Sequence, residues 1–435
     1  MTALERTNAA LEAVAKSAHL NIFLDLDAEG ARAAAQASDD RATPMGTMDG
    51  KLLGIKANFA VKGLPWSAAI IGLKDRIASQ DAGAVARLRD AGAIILGTVN
   101  MHEGALGAVT DSPGFGRCAN PLIHDHTPGG SSGGSAAAIA AGFVDCALGS
   151  DTMGSSRIPA AYCGVAGIKP TDALIGRSGL ALLSPSLDVI GPLAANVRDL
   201  WPVLQTLAGP NSADALLQPL PRNWPLAPEW RTDLQAVRIG LPAQIADVDC
   251  EPEILLGLQR AATALTALGA QVIPVDIVGW APGHARRGGL LLTEAEGAVE
   301  NAALLAGPQG TITPAFRAAL EYGRDASSAR LVDALARIAN TGAACARAMV
   351  GIDALLMPTA PQRAFAHGSE VPANQADFSA LANFSKRPAV SLPVPLSGEI
   401  LPASVQLVGH PGDDPRLLSI ADVLDRALNS AAADC

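Results

Sequence analysis

Apolar side chains recur at helical spacing in several long stretches of this chain, and short apolar runs stand between those stretches. Residues 82–101 keep helical spacing as far as Leu88, followed by Gly92 and an apolar run at 93–96. The same order recurs over residues 252–277, where a helical pattern stops at Gly269 and the run 271–275 follows. Each pattern predicts a helix followed by a buried strand. Two such units predict a β-sheet covered by helices.

Further elements are predicted along the rest of the chain. Residues 1–20 and 284–350 have the pattern of helices, and residues 135–142 predict a short alanine-rich helix. Three apolar runs, at 352–358, 389–394 and 403–408, predict strands separated by turns that are rich in Pro and Gly. Residues 209–235 concentrate Pro, Asn, Ser and Trp, which is typical of a surface connection between two blocks.

Composition and charge narrow the classes of function. The 435 residues carry a formal net charge of −10, which argues against the basic surface that nucleic-acid binding needs. The six cysteines have no CxxC spacing, so neither a zinc knuckle nor a disulfide framework is predicted. The start of the chain lacks the apolar stretch of a signal peptide, and no apolar run reaches the ~20 residues that cross a bilayer. We therefore expect a cytoplasmic protein with no nucleic-acid or membrane partner.

Candidate chemistry concentrates between residues 128 and 171, where small residues dominate. Two pairs of glycines, at 129–130 and 133–134, bracket Ser131 and Ser132. A second turn rich in Gly and Ser, at 149–156, precedes a predicted helix with Pro159 in its first turn. Glycine lets the backbone approach a ligand closely, and the first turn of a helix has unpaired N–H groups. We therefore expect backbone N–H groups to converge near Ser155.

Several interpretations of these glycines and serines compete. Residues 129–133 fit the GxSxG pattern of a nucleophile elbow, but an elbow follows a strand, and residues 120–128 have the composition of a loop. A phosphate or dinucleotide cradle, which residues 114–119 imitate, would need a following Lys-Ser/Thr or a preceding strand. A purely structural role, in which the glycines allow close packing of a helix on a sheet, stays open for an isolated GGSSGG.

A longer match favours a fourth interpretation. GGSSGGSAAA at 129–138, ALGSDTMGSSRIPAA at 147–161 and KPT at 169–171 together resemble the segment that defines the amidase signature family. Weaker matches at 21–33, 50–65, 97–107, 356–361 and 403–409 extend the resemblance, and residues 210–350 diverge. The resemblance implies an α/β fold, with a mixed β-sheet core covered on both faces by α-helices.

The resemblance also implies a domain plan. One amidase domain would span residues 1–435, with the signature core at 50–200 and the surface connection at 209–235. Residues 236–350 would form a variable region that shapes the substrate site. Residues 351–435 would supply the strands and the helix that complete the sheet.

In the amidase signature family, a serine nucleophile, a second serine preceded by a cis peptide bond, and a lysine form the catalytic triad. The matching positions are Ser155, Ser131 and Lys56, and Lys62 is a rival for the lysine. The signature contains no histidine, so a neutral lysine must act as the base, and burial would lower its pKa. Ser131 would pass the proton of Ser155 to Lys56 and later return it to the leaving nitrogen.

The resemblance assigns supporting positions as well. The backbone N–H groups of Thr152, Met153 and Gly154 are expected to form the oxyanion hole. Gly130 and Ala105 are expected to line the substrate site. No cofactor and no metal site is predicted.

Asp151 and Arg157 are expected to pair within the core. By resemblance, the reaction is hydrolysis of a carbon–nitrogen bond in a small amide, urea or carbamate through an acyl-serine intermediate. An alternative within the family is the glutaminase A-type subunit of a tRNA-dependent amidotransferase, which the expected lack of an extended C-terminal region disfavours. An alternative of another class is a catalytically inactive scaffold. The expected partner is a small-molecule amide substrate, and a homodimer is compatible with this prediction.

Overall fold

A computed structural model of the chain describes residues 1–209, 220 and 224–433. The strands, in chain order, are β1 (Phe23–Leu26), β2 (Leu52–Lys56), β3 (Ile94–Val99), β4 (Asp111–Ser112), β5 (Gly116–Arg117), β6 (Cys146–Asp151), β7 (Ala166–Lys169), β8 (Val189–Ala194), β9 (Arg238–Pro242), β10 (Gln271–Val275), β11 (Ala354–Pro358), β12 (Ala389–Val394) and β13 (Ala403–Val408). The α-helices, in chain order, are α1 (Ala3–Lys16), α2 (Ala28–Asp39), α3 (Gly83–Asp90), α4 (Gly133–Ala140), α5 (Arg157–Cys163), α6 (Leu200–Leu207), α7 (Pro252–Ala267), α8 (Pro282–Glu300), α9 (Ala302–Leu305), α10 (Pro314–Arg324), α11 (Ser328–Ala348), α12 (Ala380–Phe384) and α13 (Asp414–Ala433).

Eleven strands within the described residues form one continuous sheet. Its order is β1-β3-β2-β6-β8-β7-β12-β13-β11-β9-β10, and β4 and β5 form a separate two-stranded sheet. Strands β3, β2 and β6 are parallel to one another, as are β11, β9 and β10. The neighbouring pairs from β6 to β11 are antiparallel, and so is the pair of β1 and β3. The sheet is therefore mixed.

Helices cover both faces of this sheet. Leu53 and Ile55 of β2 pack in one apolar cluster with residues of α3 and α6. Leu52 of β2 and Ile94 of β3 pack in a second cluster with residues of α1, α2 and α4. Because successive side chains of a strand point to opposite faces, the two clusters lie on opposite sides of the sheet. The predicted fold class is confirmed.

Most of the predicted elements are present, although one strand differs. The helix-strand units at 82–101 and 252–277 are α3 with β3 and α7 with β10, and the predicted strands near the end are β11, β12 and β13. The expectation that 271–275 is buried is wrong, because β10 is the edge strand and is partly exposed. Pro274 has no N–H to donate, which suits an edge position. Within the predicted connection at 209–235, residues 210–219 and 221–223 lie outside the described residues.

Helix α8 crosses α10 closely and forms one wall of the cavity described below. A side chain at Gly323 of α10 would come within 2.2 Å of the carbonyl carbon of Glu294 on α8. Glycine therefore permits this close crossing and fixes the backbone of α8 at Glu294. None of the helices in the described part of the chain is long and apolar enough to span a membrane.

Candidate active site

Lys56 is the last residue of β2, and its side chain is completely buried. Its Nζ donates to Ser131 Oγ at 2.7 Å and to Ser150 Oγ at 2.8 Å. Ser150 lies near the end of β6, the parallel neighbour of β2, so the carboxyl ends of both strands meet at this point. Asn58 Nδ2 also donates to Ser150 Oγ, at 3.0 Å. The lysine is therefore held in place by two hydroxyl groups.

Burial sets the protonation of this lysine. It lowers the pKa of Lys56 from 10.5 to about 7, because a charged ammonium is unfavourable away from water. The negative charges of Asp188 and Asp151 oppose this effect and do not cancel it. A large fraction of Lys56 is therefore neutral near pH 7, as a general base must be.

Ser131 is buried in the loop that ends where α4 begins. The peptide bond between Gly130 and Ser131 is cis, as the resemblance implied. The backbone at Gly130 passes very close to another segment, since a Cβ there would lie 2.7 Å from the carbonyl carbon of Ala108. The carbonyl of Ser131 accepts a hydrogen bond from the His102 N–H at 3.1 Å. These contacts hold the Ser131 hydroxyl against Lys56.

Ser155 lies in the turn between β6 and α5 and is partly exposed. Its hydroxyl makes no hydrogen bond to any described residue. Its carbonyl accepts from the Ser132 N–H at 3.1 Å, which ties this turn to the loop of Ser131. The hydroxyl is thus open to the cavity in front of it.

The backbone N–H groups of the turn divide into used and unused donors. Gly154 N–H donates to Asp151 Oδ1 at 2.8 Å, so the prediction that it belongs to the oxyanion hole differs from the observed contact. The N–H groups of Thr152, Met153 and Ser155 have no acceptor among the described residues. These three donors lie in the same turn as the Ser155 side chain and are available to a developing oxyanion.

A cavity of about 250 Å³ opens beside Ser155. Gly130 and Ala105, which are predicted to line the substrate site, both line this cavity. The other lining residues are Leu106, Gly107, Ala108, Thr152, Met153, Ser155, Ile158, Leu183, Arg286, Leu290, Thr293, Glu294, Pro372, Ala373, Gln375 and Ala376. One wall therefore comes from α8, within the region predicted to shape the substrate site.

Comparisons with known proteins identify the family of this chain. A model of the Amidase family matches residues 5–418. The chain belongs to the amidase family. A relative from Synechococcus sp. (strain CC9605), named as the A subunit of glutamyl-tRNA(Gln) amidotransferase, is 33% identical over 94% of this chain and 89% of its own length.

Solved structures of other proteins also resemble this one closely. A crystal structure of an amidase has a TM-score of 0.87 and 30% identity, covering 98% of this chain and 96% of the other. A structure of a vestigial protein complex that bears on the evolutionary origins of an s-triazine catabolic enzyme has a TM-score of 0.90 and 28% identity, covering 98% and 95%. The amidase described here is accordingly an enzyme that acts on carbon–nitrogen bonds.

The turn of this amidase is built on a buried ion pair, as predicted for Asp151 and Arg157. Arg157 donates to both carboxylate oxygens, Nε to Oδ2 at 3.0 Å and Nη2 to Oδ1 at 2.9 Å. Arg157 also donates to the Ser379 carbonyl, Asn383 Oδ1 and Gln406 Oε1 at 2.7–2.8 Å. Burial alone would raise the pKa of Asp151, but the charge and hydrogen bonds of Arg157 outweigh it and lower the value to about 2.

Lys62, the rival for the lysine, lies away from the site. Its side chain is exposed, and its backbone N–H donates to Asp81 Oδ1 at 2.8 Å. The structure therefore brings Lys56, and not Lys62, to Ser131.

One buried carboxylate of the amidase site, Asp188, is not indicated by any motif in the sequence. Asp188 accepts from Thr152 Oγ1 at 2.6 Å and from the backbone N–H groups of Leu183 and Ser184. It thereby fixes Thr152, whose own N–H is predicted to be an oxyanion donor. Burial raises the pKa of Asp188. The available signal was an acidic residue between Leu187 and the apolar run of β8, where a solvated charge is not expected.

Proposed function

We propose that this amidase hydrolyses the carbon–nitrogen bond of a small amide, urea or carbamate through an acyl-Ser155 intermediate. The observation that carries the proposal is the contrast between two serines. The Ser155 hydroxyl has no described protein partner and faces a cavity beside unused N–H donors, whereas the Ser131 hydroxyl is bonded to a buried lysine at 2.7 Å. One serine is free to attack, and the other is connected to a base.

The steps follow from these positions. Ser155 Oγ attacks the carbonyl carbon while its proton passes to Ser131, and the proton of Ser131 passes to neutral Lys56. The N–H groups of Thr152, Met153 and Ser155 stabilise the negative oxygen of the tetrahedral intermediate. When the carbon–nitrogen bond breaks, Ser131 returns a proton to the leaving nitrogen and recovers one from Lys56. Water then attacks the acyl-enzyme by the same route, which releases the acid and restores Ser155.

Two versions of this function share the chemistry and differ in the substrate. The name of the Synechococcus relative supports the glutaminase subunit of a tRNA-dependent amidotransferase better than it supports a free-standing amide hydrolase. The cavity of about 250 Å³ is compatible with either, because both substrates are small. The inactive scaffold is disfavoured by the complete set of Lys56, Ser131 and Ser155. The homodimer, the cytoplasmic location and the assignment of the whole chain to one domain stay predictions.

A fluorophosphonate and mass spectrometry test the shared chemistry. We expect a single adduct on Ser155 that is lost in Ser155→Ala. Ser430→Ala, which changes an exposed serine near the end of α13, is the control and should still be labelled on Ser155. The absence of an adduct on Ser155 would contradict the proposal.

A panel of substrates then separates the two versions. Release of ammonia from glutamine, and its increase when further subunits co-purify, would favour the amidotransferase version. Hydrolysis of simple amides, ureas or carbamates by the isolated chain, with no activity on glutamine, would favour the free-standing hydrolase.

A further inference from the structure

Most polar groups that line the cavity already have partners within the protein. Thr152 Oγ1 donates to Asp188, and Arg286 Nε donates to Asp377 Oδ1 at 2.6 Å. Gln375 accepts from the Tyr162 hydroxyl and donates to the Pro372 carbonyl. Each of these groups is thus already tied to a neighbour, although the Nη groups of Arg286 keep donors for a ligand.

Thr293 and Glu294, two consecutive residues of α8, lack such partners among the described residues. Thr293 is 1% exposed, and its Oγ1 has no hydrogen-bond partner among the described residues. Glu294 is 9% exposed, and its carboxyl makes no hydrogen bond and no ion pair with any described residue. Both line the same cavity as Ser155, and Glu294 also lines a neighbouring cavity together with Arg330 and Arg337. A buried hydroxyl without a partner is unfavourable, and the carboxylate beside it has little exposure and no paired cation, so these two residues can receive a partner from outside the chain.

The cations near Glu294 are bound to other groups: Arg337, which lines the neighbouring cavity, pairs with Asp333. Arg330 on α11 is the cation that acts on Glu294 through its charge. Its guanidinium instead donates to the Tyr322 hydroxyl at 2.5 Å and stacks over that ring. The charge of Arg286, which lines the cavity, is balanced by Asp377. Among the described residues that line the cavity beside Ser155, Glu294 is thus an acidic residue without a paired cation.

We infer that Thr293 and Glu294 bind a primary ammonium group on the acyl part of the substrate. The ammonium would donate to the Glu294 carboxylate and to Thr293 Oγ1, which satisfies both buried groups at once. The inference rests on the proposed function, because it takes the cavity beside Ser155 as the substrate site. It deepens that function by naming the substrate class as amides of amino acids whose amino group lies away from the scissile bond.

The environment favours a cation over a neutral donor. Burial raises the pKa of Glu294 to about 7, which means that desolvation of the carboxylate is only partly compensated in the free protein. A bound cation supplies the missing compensation, whereas a methyl group in the same place would leave the carboxylate desolvated and unpaired. Charge-assisted hydrogen bonds of this kind correspond to about a 10- to 100-fold preference in binding.

Binding to the Ser155→Ala variant tests the recognition site without turnover. The ligands are γ-aminobutyramide and valeramide, which match in size and differ in having an ammonium or a methyl group at the far end. Shorter and longer pairs, β-alaninamide with butyramide and ε-aminocaproamide with enanthamide, define the reach. We expect calorimetry to show at least about tenfold tighter binding of the ammonium member in one pair. Equal binding within all three pairs would overturn the inference.

Variants assign the preference to these two residues. Glu294→Gln removes the charge at constant shape, and Thr293→Val removes the hydroxyl. Either should reduce the preference for the ammonium ligand, and Glu294→Gln should abolish it. Glu300→Gln, at the exposed end of the same helix, is the matched control and should retain it. A preference unchanged in Glu294→Gln overturns the inference. The same substitutions are also made in a chain that retains Ser155. Fluorophosphonate labelling of Ser155 in these variants shows that the active site is intact.

A failure of the proposed function can be distinguished from a failure of this inference. If the ammonium preference depends on Glu294 but no amide is hydrolysed, the recognition site stands and the proposed function fails. If amides are hydrolysed with equal kcat/KM for both members of every pair, the proposed function stands and the inference fails.

Discussion

The protonation of Lys56 determines how this amidase should respond to pH. If the pKa of Lys56 were the ordinary 10.5, about one lysine in a thousand would be neutral at pH 7.5. With a pKa of about 7, about three quarters are neutral. Burial therefore raises the concentration of the active base by several hundred-fold. Below pH 7, the acylation rate of Ser155 should fall about tenfold per pH unit, and above pH 8 it should be constant.

The assay is the rate of fluorophosphonate labelling of Ser155 between pH 5.5 and 9. Lys56→Ala should label about 10²- to 10⁴-fold more slowly, with no inflection near pH 7. Lys62→Ala, the exposed lysine control, should behave like the wild type. Glu294 lines the same cavity and also has a pKa of about 7, so the inflection must be measured again in Glu294→Gln.

Three results would refute this reasoning about Lys56. One is a wild-type profile that is flat across the range, and another is an inflection that survives in Lys56→Ala. The third is an inflection that disappears in Glu294→Gln while Lys56 is intact, because the titrating group would then be the carboxyl of Glu294.

Three further predictions concern neighbouring groups. Ser131→Ala should lower kcat by about 10²- to 10⁴-fold with little change in KM, measured on any amide found to be a substrate; a purely KM effect would speak against proton relay. Asp188→Asn removes an anion that raises the pKa of Lys56, so the inflection of the labelling profile should move to lower pH, and a move to higher pH would contradict this electrostatic account. Arg157→Met leaves Asp151 charged and unpaired in the core, and urea denaturation should show a loss of about 3–5 kcal/mol in the free energy of unfolding. The exposed Arg32→Met is its control, and equal losses in the two variants would refute the role of the ion pair.

The sequence predicted those parts of the molecule that depend on local patterns. Helix α3 and strand β3 follow from helical spacing, a glycine stop and an apolar run. The glycines and serines of the signature lie in two loops that are close in the sequence. The motif therefore predicted that Ser131 and Ser155 belong to the same site. The low exposure of Lys56 follows from the apolar residues that precede it in β2 and from Ala57 and Phe59, which follow the strand and are also buried.

What the sequence did not predict depends on contacts between distant segments. The edge position of β10 is decided by strand order, which the apolar run at 271–275 does not encode. The use of the Gly154 N–H by Asp151 depends on the conformation of the turn. Thr293 and Glu294 belong to a helix whose sequence is ordinary for an amphipathic helix. Their facing the cavity results from how α8 packs on α10 and α11.

The hydrogen bonds of Arg157 make the working site a late product of synthesis. This side chain sits at the start of α5, yet its acceptors Ser379 and Gln406 come 222 and 249 residues later in the chain. A ribosome that has made Lys56, Ser131 and Ser155 has therefore made the reacting groups without the contacts that hold their turn. We expect a nascent chain to remain catalytically inactive until β13 has emerged and joined the sheet. The enzyme would then become active only when its fold is nearly complete.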